Sequence, residues 1–277
     1  MLLKDKRAII TGGSRGIGKV VASFFLKEGA RVMIAARSKE ELAEAKRELG
    51  KISPHVYTRA VDVSNSDEAK SLVKAAAKEI GGVDILVNAA GIYGPIGPSD
   101  SIALDQWKKT FEINLFGGFY LFQEVLPFMK KQKYGKIINF SGGGDGPMAN
   151  FSAYNTSKAA VARLTETLAE ETKECHIDIN VVAPGGVNTK ILEDALAAGE
   201  AAMGRARYES ILKQKKEGGV APEKVAELCV FLASAASDGL SGRFLSAVWD
   251  DWKNWDKKKI GEIMKGNEYT LRRVKAK

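Results

Sequence analysis

Short apolar segments rich in valine and isoleucine alternate with amphipathic segments along almost the entire chain. RAIITG, RVMIAAR and IDINVVAPGG are examples of the seven strand-like segments, and they are hydrophobic on both faces. Segments with helical spacing lie between them, and several of these end at a glycine. Such an alternation is typical of a parallel sheet that is covered by helices on both sides. The sequence therefore predicts a single domain with a doubly wound α/β fold and a seven-stranded parallel sheet.

The composition favours one soluble domain. The 277 residues are 45% hydrophobic, and no apolar run approaches the roughly 18 residues that would span a bilayer. The first residues, MLLKDKRAII, show no signal-peptide pattern. The two cysteines, Cys175 and Cys229, form no ligand-like pattern, and His55 and His176 have no companion ligands. We therefore predict a cytoplasmic protein without a metal site.

The net charge of +8 leaves room for an anionic partner. Part of the basic excess lies near the C-terminus, in DKKK and LRRVKAK. Because these lysines are not interleaved with aromatic residues that could stack on bases, a solvated basic tail is favoured. We predict neither a nucleic-acid nor a membrane partner, although association of the tail with nucleic acid stays open as an alternative.

A glycine-rich loop, TGGSRGIG, lies between the first strand and the first helix. Its glycines follow the spacing G-x-x-x-G-x-G, through Gly12, Gly16 and Gly18. Such a loop lets the backbone approach a pyrophosphate closely and directs the N–H groups of the helix N-terminus toward it. The position of this loop in the first strand–helix unit indicates a dinucleotide site.

The second strand ends without a carboxylate. An acid at this point often holds the adenosine ribose of a dinucleotide, but the strand here ends at Ala36 and Arg37. Arg15 lies in the glycine loop itself, and two guanidinium groups suit a 2′-phosphate. The sequence therefore favours NADP(H) over NAD(H), with two ordinary surface arginines as the alternative.

A tyrosine and a lysine stand one helical turn apart in SAYNTSKAAV. Tyr154 and Lys158 share one helix face, and a neighbouring ammonium favours the phenolate and lowers the pKa of a tyrosine. Ser141 ends the fifth strand and can meet the phenol at the carboxyl edge of the sheet. The pair therefore makes sense as a proton-transfer device, and a surface contact between the two side chains is the alternative.

Together these motifs resemble those of the short-chain dehydrogenase/reductase family. The resemblance covers roughly residues 5 to 248, with the motifs in family order. Besides the glycine loop, Ser141 and YNTSK, they comprise Asp62–Val63, NAAG at 88–91, Asn114 and PGGVNT at 184–189. NAAG departs mildly from the commoner N-N-A-G. The resemblance implies a Rossmann-type fold.

The resemblance also implies roles for individual residues. Tyr154 would be the general acid/base, Lys158 would lower its pKa and bind the nicotinamide ribose, and Ser141 would position the carbonyl or alcohol. Asn114 would support a water path that returns the proton. The residues expected to contact NADP(H) are Gly12, Ser14, Arg15, Gly16, Ile17, Gly18, Arg37, Asp62, Val63, Asn88, Ala89, Gly91, Tyr154, Lys158, Pro184, Gly185, Val187 and Thr189.

We divide the chain into a catalytic domain over residues 1–248, with a substrate-loop region at 188–220, and a Trp-rich basic extension over 249–277. Trp249, Trp252 and Trp255 recur every third residue and would form an apolar ridge on one helical turn. This ridge would cover the pocket mouth or pack on a second subunit. The resemblance implies a homo-oligomer, a dimer or a tetramer.

The predicted function is that of an NADP(H)-dependent oxidoreductase that interconverts a carbonyl and a secondary alcohol. A small-molecule ketone or 3-oxoacyl compound would be reduced. A sugar or cyclic alcohol dehydrogenase and a non-catalytic NADP(H)-binding protein remain alternatives. The side chains expected to line the substrate pocket are Tyr93, Met148, Asn150, Phe151 and residues near Ile191.

Overall fold

A computed structural model of the protein describes residues 1–142 and 146–272. All strands in this part of the chain belong to one parallel sheet. They are β1 (Arg7–Thr11), β2 (Arg31–Ala36), β3 (Val56–Ala60), β4 (Ile85–Asn88), β5 (Gly135–Phe140), β6 (Ile177–Ala183) and β7 (Phe244–Ser246). The order across the sheet is β3-β2-β1-β4-β5-β6-β7. The predicted seven-stranded, doubly wound α/β fold is confirmed.

Ten α-helices connect and flank these strands within the described residues. They are α1 (Gly16–Lys27), α2 (Lys39–Leu49), α3 (Ser66–Glu79), α4 (Leu104–Phe111), α5 (Gly117–Gln132), α6 (Ser152–Thr172), α7 (Lys190–Met203), α8 (Arg205–Glu217), α9 (Pro222–Ala233) and α10 (Lys257–Lys265). A π-helical turn, Glu112–Phe116, joins α4 to α5. The chain therefore stays helical through Gly117, the first residue of α5. A Cβ atom at Gly117 would lie 2.9 Å from Val63, so close packing explains this glycine.

Two apolar layers hold the sheet between its helices. On one side, side chains of α1 and α9 such as Phe25 and Leu228 are fully buried. On the other side, α3, α5 and α6 contribute residues such as Leu72, Leu121 and Leu168. Burial of each such side chain stabilises the fold by about 1.5–3 kcal/mol. This continuous core fixes the carboxyl ends of the strands at one edge, where the predicted functional residues lie.

The strand order reverses between β1 and β4, the neighbours at the centre of the sheet. The crossover from β1 runs by α1 to one side of the sheet, and the one from β4 runs by α5 to the other. A crevice therefore opens above the carboxyl ends of β1 and β4, which is where ligands bind in open α/β sheets.

The segment after β7 packs onto the sheet domain. Arg243 is buried and donates hydrogen bonds to the carbonyl oxygens of Ile263 and Gly266. The N–H of Phe244 donates to the carbonyl oxygen of Tyr269 at 2.7 Å, so the chain returns to the edge of β7. Across the described residues, no helix combines the length and the apolar character that crossing a membrane would need.

The tryptophans of this segment do not form the predicted ridge, because no helix spans them. Trp252 begins a short 3₁₀ turn, Trp252–Asn254, and Trp255 follows it. Both rings are buried, whereas Trp249 precedes the turn and is 85% exposed. The last residues of the basic tail, 273–277, lie outside the described residues.

Candidate active site

Tyr154 and Ser141 meet where β5 ends and α6 begins. Both residues are buried. A Cβ atom at Gly142 would lie 2.1 Å from the phenolic oxygen of Tyr154, so the phenol reaches the backbone directly after Ser141. The ring of Tyr154 packs edge-on against Tyr93, with centroids 4.4 Å apart. The tertiary structure thus brings together the serine and the tyrosine that the sequence predicted.

Lys158 lies one turn further along α6 and is also buried. Its Nζ donates a 2.9 Å hydrogen bond to the carbonyl oxygen of Phe140 and lies 5.9 Å from the centroid of the Tyr154 ring. Burial lowers the pKa of Lys158 to about 8. A Cβ atom at Gly91 would lie 3.5 Å from Nζ, so the ammonium borders the loop after β4.

The pKa of Tyr154 differs from the expectation. Burial of the phenol raises this pKa above its ordinary value, the neighbouring Tyr93 raises it further, and the charge of Arg207 opposes the shift. The ammonium of Lys158 is bound to the Phe140 carbonyl and does not offset the cost of burying a phenolate. In this state Tyr154 is therefore a protonated acid rather than a group poised to lose its proton.

Asn114 lies in the π-helical turn and clamps two elements. Its Nδ2 donates to the carbonyl oxygen of Ile92 and to Ser157 Oγ, both at 2.9 Å. Its Oδ1 accepts from the N–H of Ile92 at 2.9 Å. Both amide protons are therefore used in holding the loop after β4 against α6. A π-turn in a long helix often marks a functional site.

A small cavity of about 20 Å³ lies beneath these residues. Lys158, Asn114 and Asn88 all border it. Within the described structure, Asn88 Oδ1 is buried without a hydrogen-bond partner. The cavity is large enough for a single water molecule, and its lining is mainly apolar, with polar side chains from Thr11, Asn88, Asn114, Asn139 and Lys158.

The glycine loop after β1 depends on close backbone approaches. A Cβ atom at Gly12 would lie 2.8 Å from the carbonyl oxygen of Ala89, and φ at Gly12 is +63°. A Cβ atom at Gly18 would lie 2.4 Å from the carbonyl oxygen of Gly12. Helix α1 begins at Gly16, and no side chain caps its N-terminus. The loop therefore brings free helix N–H groups to the crevice.

We call the cavity beside this loop the glycine-loop cleft. It has a volume of about 570 Å³. The predicted cofactor contacts that line it are Gly12, Ser14, Arg15, Gly16, Ile17, Gly18, Arg37, Asp62, Val63, Ala89, Gly91 and Thr189. Asn88 lies beneath it, at the small cavity.

A second cavity, which we call the tyrosine cavity, has a volume of about 700 Å³. The predicted residues that line it are Ser141, Tyr154, Lys158, Pro184, Gly185, Val187 and Thr189. It shares Ile17, Ala89, Gly91, Thr189 and Ile191 with the glycine-loop cleft. The two spaces thus form one continuous crevice with the serine, tyrosine and lysine on one side.

A sequence model of the short chain dehydrogenase family matches residues 6–199, which is well over half of the chain. The chain belongs to the short-chain dehydrogenase family. Members of this family are oxidoreductases that act on alcohols or ketones with a nicotinamide cofactor. The continuous crevice and the Ser141–Tyr154–Lys158 constellation lie within the matched residues.

Individual relatives agree with this membership. The chain is 36% identical to 3beta-hydroxysteroid dehydrogenase 1 of Eggerthella lenta, over 88% of this chain and 92% of that protein. Its structure is similar to the crystal structure of levodione reductase, with a TM-score of 0.82, 27% identity, and coverage of 91% of this chain and 100% of that one. A short-chain type dehydrogenase/reductase from Mycobacterium ulcerans has a TM-score of 0.79 at 26% identity, with 89% of each chain covered.

Sequence analysis missed one acid in the glycine-loop cleft of this short-chain dehydrogenase. Glu41 Oε1 accepts from Arg15 at 2.6 Å, and Glu41 Oε2 accepts from Ser14 Oγ at 2.9 Å. The end of β2 indeed carries no carboxylate, but the first turn of α2 supplies one. Ser38 caps α2 by accepting from the N–H of Glu41, three residues on. This S-x-x-E spacing of a capping box was the available signal.

The tyrosine cavity contains residues that sequence reasoning did not identify. Arg207 and Gln214 come from α8, and Trp249, Asp250 and Tyr269 come from the segment after β7. Of the residues expected to line the substrate pocket, Tyr93, Met148 and Ile191 do so. Phe151 instead packs beneath Tyr93 as a buried residue, with ring centroids 5.4 Å apart, and Asn150 is not part of the lining.

The described residues contain no group of three or more histidine, cysteine, aspartate or glutamate side chains that could hold a metal ion. Cys229 is buried in the apolar core, and burial raises the pKa of its thiol.

Proposed function

We propose that this short-chain dehydrogenase is an NADP(H)-dependent reductase of a small-molecule ketone. The observation that carries the proposal is the position of the Tyr154 phenol. It is buried beside Ser141 at the carboxyl edge of the sheet and opens into a crevice that continues to the glycine loop. A binding protein without catalysis has no need of a buried phenol at this point.

The glycine-loop cleft fits a dinucleotide. The close approaches at Gly12 and Gly18 leave room for backbone but not for side chains, which suits contact with a pyrophosphate. Arg37 lines the cleft where β2 ends, which is where the adenosine ribose would lie, and among residues 1–142 and 146–272 no carboxylate lies within 4.0 Å of its guanidinium. An unpaired arginine at this point supports NADP(H), because it can bind a 2′-phosphate by charge-assisted hydrogen bonds.

Arg15 supports the same choice less directly, because Glu41 engages its guanidinium. A 2′-phosphate would have to compete with the Glu41 carboxylate for Arg15 and Ser14. We therefore assign the larger share of phosphate recognition to Arg37.

The nicotinamide cofactor supplies the hydride when bound. In our proposal, Ser141 and Tyr154 donate hydrogen bonds to the substrate carbonyl, and Tyr154 gives its proton to the oxygen as the alcohol forms. The raised pKa of Tyr154 favours this direction, since the phenol keeps its proton until the oxygen becomes more basic. Asn114 and Lys158 border the small cavity, and Lys158 also lines the tyrosine cavity, so in our proposal Lys158 relays the proton that returns to the phenol.

The names of the relatives support a ring-bearing ketone or alcohol as substrate, because one denotes a hydroxysteroid dehydrogenase and the other a levodione reductase. A 3-oxoacyl substrate remains a second candidate from the sequence alone. We also propose a cytoplasmic homo-oligomer. The apolar side chains Leu104, Phe116 and Phe128 on α4, the π-turn and α5 are exposed in the single chain and would suit a contact with another copy.

The test is a fluorescence titration of the purified protein with NADPH and NADH, followed by a panel of cyclic ketones, 3-oxoacyl thioesters and sugar-derived carbonyls monitored at the nicotinamide absorbance. We expect tighter binding of NADPH and turnover of at least one cyclic ketone. Tight binding of NADPH without turnover of any compound would contradict the proposed reductase activity and support a non-catalytic NADP(H)-binding protein.

A further inference from the structure

Three charged side chains line the tyrosine cavity among the residues that the structure describes, and two of them are held by backbone groups. Lys158 binds the carbonyl oxygen of Phe140 deep in the crevice, and Asp250 accepts a 2.6 Å hydrogen bond from the N–H of Ser246. The third is Arg207, in the first turn of α8. It is solvent-exposed and therefore lies at the mouth of the cavity.

Arg207 has no acidic partner within 4.0 Å in the described parts of the chain. Arg205, two residues earlier on the same helix, pairs with Glu209 at 2.8 Å. The guanidinium of Arg207 instead lies over the ring of Phe151, with its central carbon 5.8 Å from the ring centroid. One turn of helix thus carries one arginine with a surface partner and one that faces the cavity.

A row of aromatic rings connects Arg207 to the reactive phenol. Phe151 packs against Tyr93, and Tyr93 packs against Tyr154, with centroid distances of 5.4 and 4.4 Å. The Arg207 guanidinium hydrogen-bonds the Tyr93 phenol, and its charge opposes the burial that raises the pKa of Tyr93 and the pKa of Tyr154. A molecule that reaches Tyr154 with its carbonyl therefore passes close to this cation.

An arginine that lies on an aromatic face has its N–H donors in the guanidinium plane, and those that Tyr93 does not use are available to a ligand. This fork matches the oxygens of a carboxylate or a phosphate, and such bidentate pairs combine charge with fixed geometry. Phe151, Tyr93 and Met148 belong to one apolar cluster, and Arg207 lies beside it at the cavity mouth.

We propose that the substrate carries an anionic group, a carboxylate or a phosphate, and that Arg207 binds this group at the cavity mouth while the carbonyl faces Tyr154. This inference rests on the proposed reductase function, since it concerns the substrate of the same site. Arg207 would then select among ketones by charge, and the apolar wall would hold the carbon skeleton.

The experiment compares wild type with Arg207→Gln, Arg207→Lys and the control Arg205→Gln, using charged and neutral members of two matched pairs. The first pair is 4-oxocyclohexanecarboxylate and its ethyl ester, and the second is dihydroxyacetone phosphate and dihydroxyacetone. With NADPH, we expect at least a tenfold preference in kcat/KM for the charged member of one pair. Arg207→Gln should remove that preference, with a much smaller loss of kcat/KM on the neutral member than on the charged one, whereas Arg205→Gln should change neither.

The pair that shows the preference identifies the anion as a carboxylate or a phosphate, and Arg207→Lys should retain part of it. An equal loss on charged and neutral members in Arg207→Gln would overturn the inference, because Arg207 would then act on Tyr154 or on the fold. The absence of any charge preference in wild type would overturn it as well.

Calorimetric titration of the same four compounds separates this inference from the proposed function. Failure to bind NADPH would remove the proposed function. The affinity for the charged compounds, measured with and without nucleotide, tests the role of Arg207 even if the protein does not turn them over. At least tenfold tighter binding of a charged member that is lost in Arg207→Gln supports the inference, and equal binding of charged and neutral members contradicts it.

Discussion

The glycine-loop cleft and the tyrosine cavity meet at Gly91, but the chain builds them differently. The cleft is made mainly of backbone at the carboxyl ends of neighbouring strands, where glycines such as Gly12 and Gly18 allow close approach. The tyrosine cavity is closed by side chains from α8 and from the segment after β7, which are distant in sequence from Tyr154. The glycine-loop cleft can therefore be predicted from a short sequence motif, whereas the tyrosine cavity depends on how distant segments pack.

The largest expected effect is a loss of kcat caused by a change in the tyrosine cavity that leaves the glycine-loop cleft intact. Tyr154→Phe removes the proton donor but keeps the ring that packs against Tyr93. We expect kcat to fall by about 10²–10⁴-fold with NADPH affinity unchanged. The matched control, Tyr57→Phe on β3, should retain wild-type kcat. Turnover of Tyr154→Phe near that of the control would show that the phenol is not the proton donor.

The reciprocal change acts on the backbone of the cleft. Gly12→Ala introduces a Cβ atom 2.8 Å from the Ala89 carbonyl at a φ of +63°, and we expect it to cost about 2–4 kcal/mol of stability and to weaken NADPH binding. In Gly239→Ala, φ is +86° but no atom lies within 4 Å of the added Cβ, so only the backbone strain remains. In thermal unfolding, we expect the melting temperature of Gly12→Ala to lie well below that of Gly239→Ala. Equal melting temperatures would mean that the close approach does not matter.

Arg37→Asp tests which side chain recognises the phosphate in the cleft. Replacing the unpaired cation with an anion should change the ratio of NADPH to NADH affinity by about 100-fold in favour of NADH, because a charge-assisted bond is replaced by repulsion. The two dissociation constants, measured by fluorescence, check this. A ratio equal to that of wild type would show that the 2′-phosphate is bound elsewhere.

Lys158, which lines the tyrosine cavity, gives a pH dependence of stability. Its pKa in the folded protein is about 8, below the ordinary value of 10.5, so the unfolded chain binds more protons between these values. The contribution of Lys158 to stability should therefore rise between pH 8 and 10.5. Relative to Lys158→Met, we expect the nucleotide-free protein to gain about 2 kcal/mol between pH 7 and 9.5. Parallel denaturant-derived stability curves for the two proteins would contradict the lowered pKa.

The smallest effect concerns the acid that the sequence did not reveal. Glu41→Gln should release Arg15 for the 2′-phosphate and raise the ratio of NADPH to NADH affinity by up to about fivefold, since a partly exposed ion pair is worth at most about 1 kcal/mol. Glu44→Gln, on the same helix and paired with Arg47 outside the cleft, should leave the ratio unchanged. A lower ratio in Glu41→Gln would mean that the carboxylate positions Arg15 for the cofactor.

Sequence alone determined the fold, the glycine loop and the proximity of Tyr154 to Lys158, because each depends on local spacing. Strand and helix periodicity follow from backbone geometry, and an i, i+4 pair shares a helix face in any surroundings. The roles expected for Ser141 and Asn114 came instead from the resemblance of the motifs to a known family.

Only the tertiary structure decided the electrostatics and the outer walls of the site. Lys158 binds the Phe140 carbonyl and burial governs Tyr154, so the pKa of the phenol is raised rather than lowered. Glu41 reaches Arg15 because α2 packs beside the glycine loop, and Arg207 faces the tyrosine cavity because α8 crosses its mouth. Desolvation and contacts between distant segments depend on packing in three dimensions, which no local pattern in the sequence records.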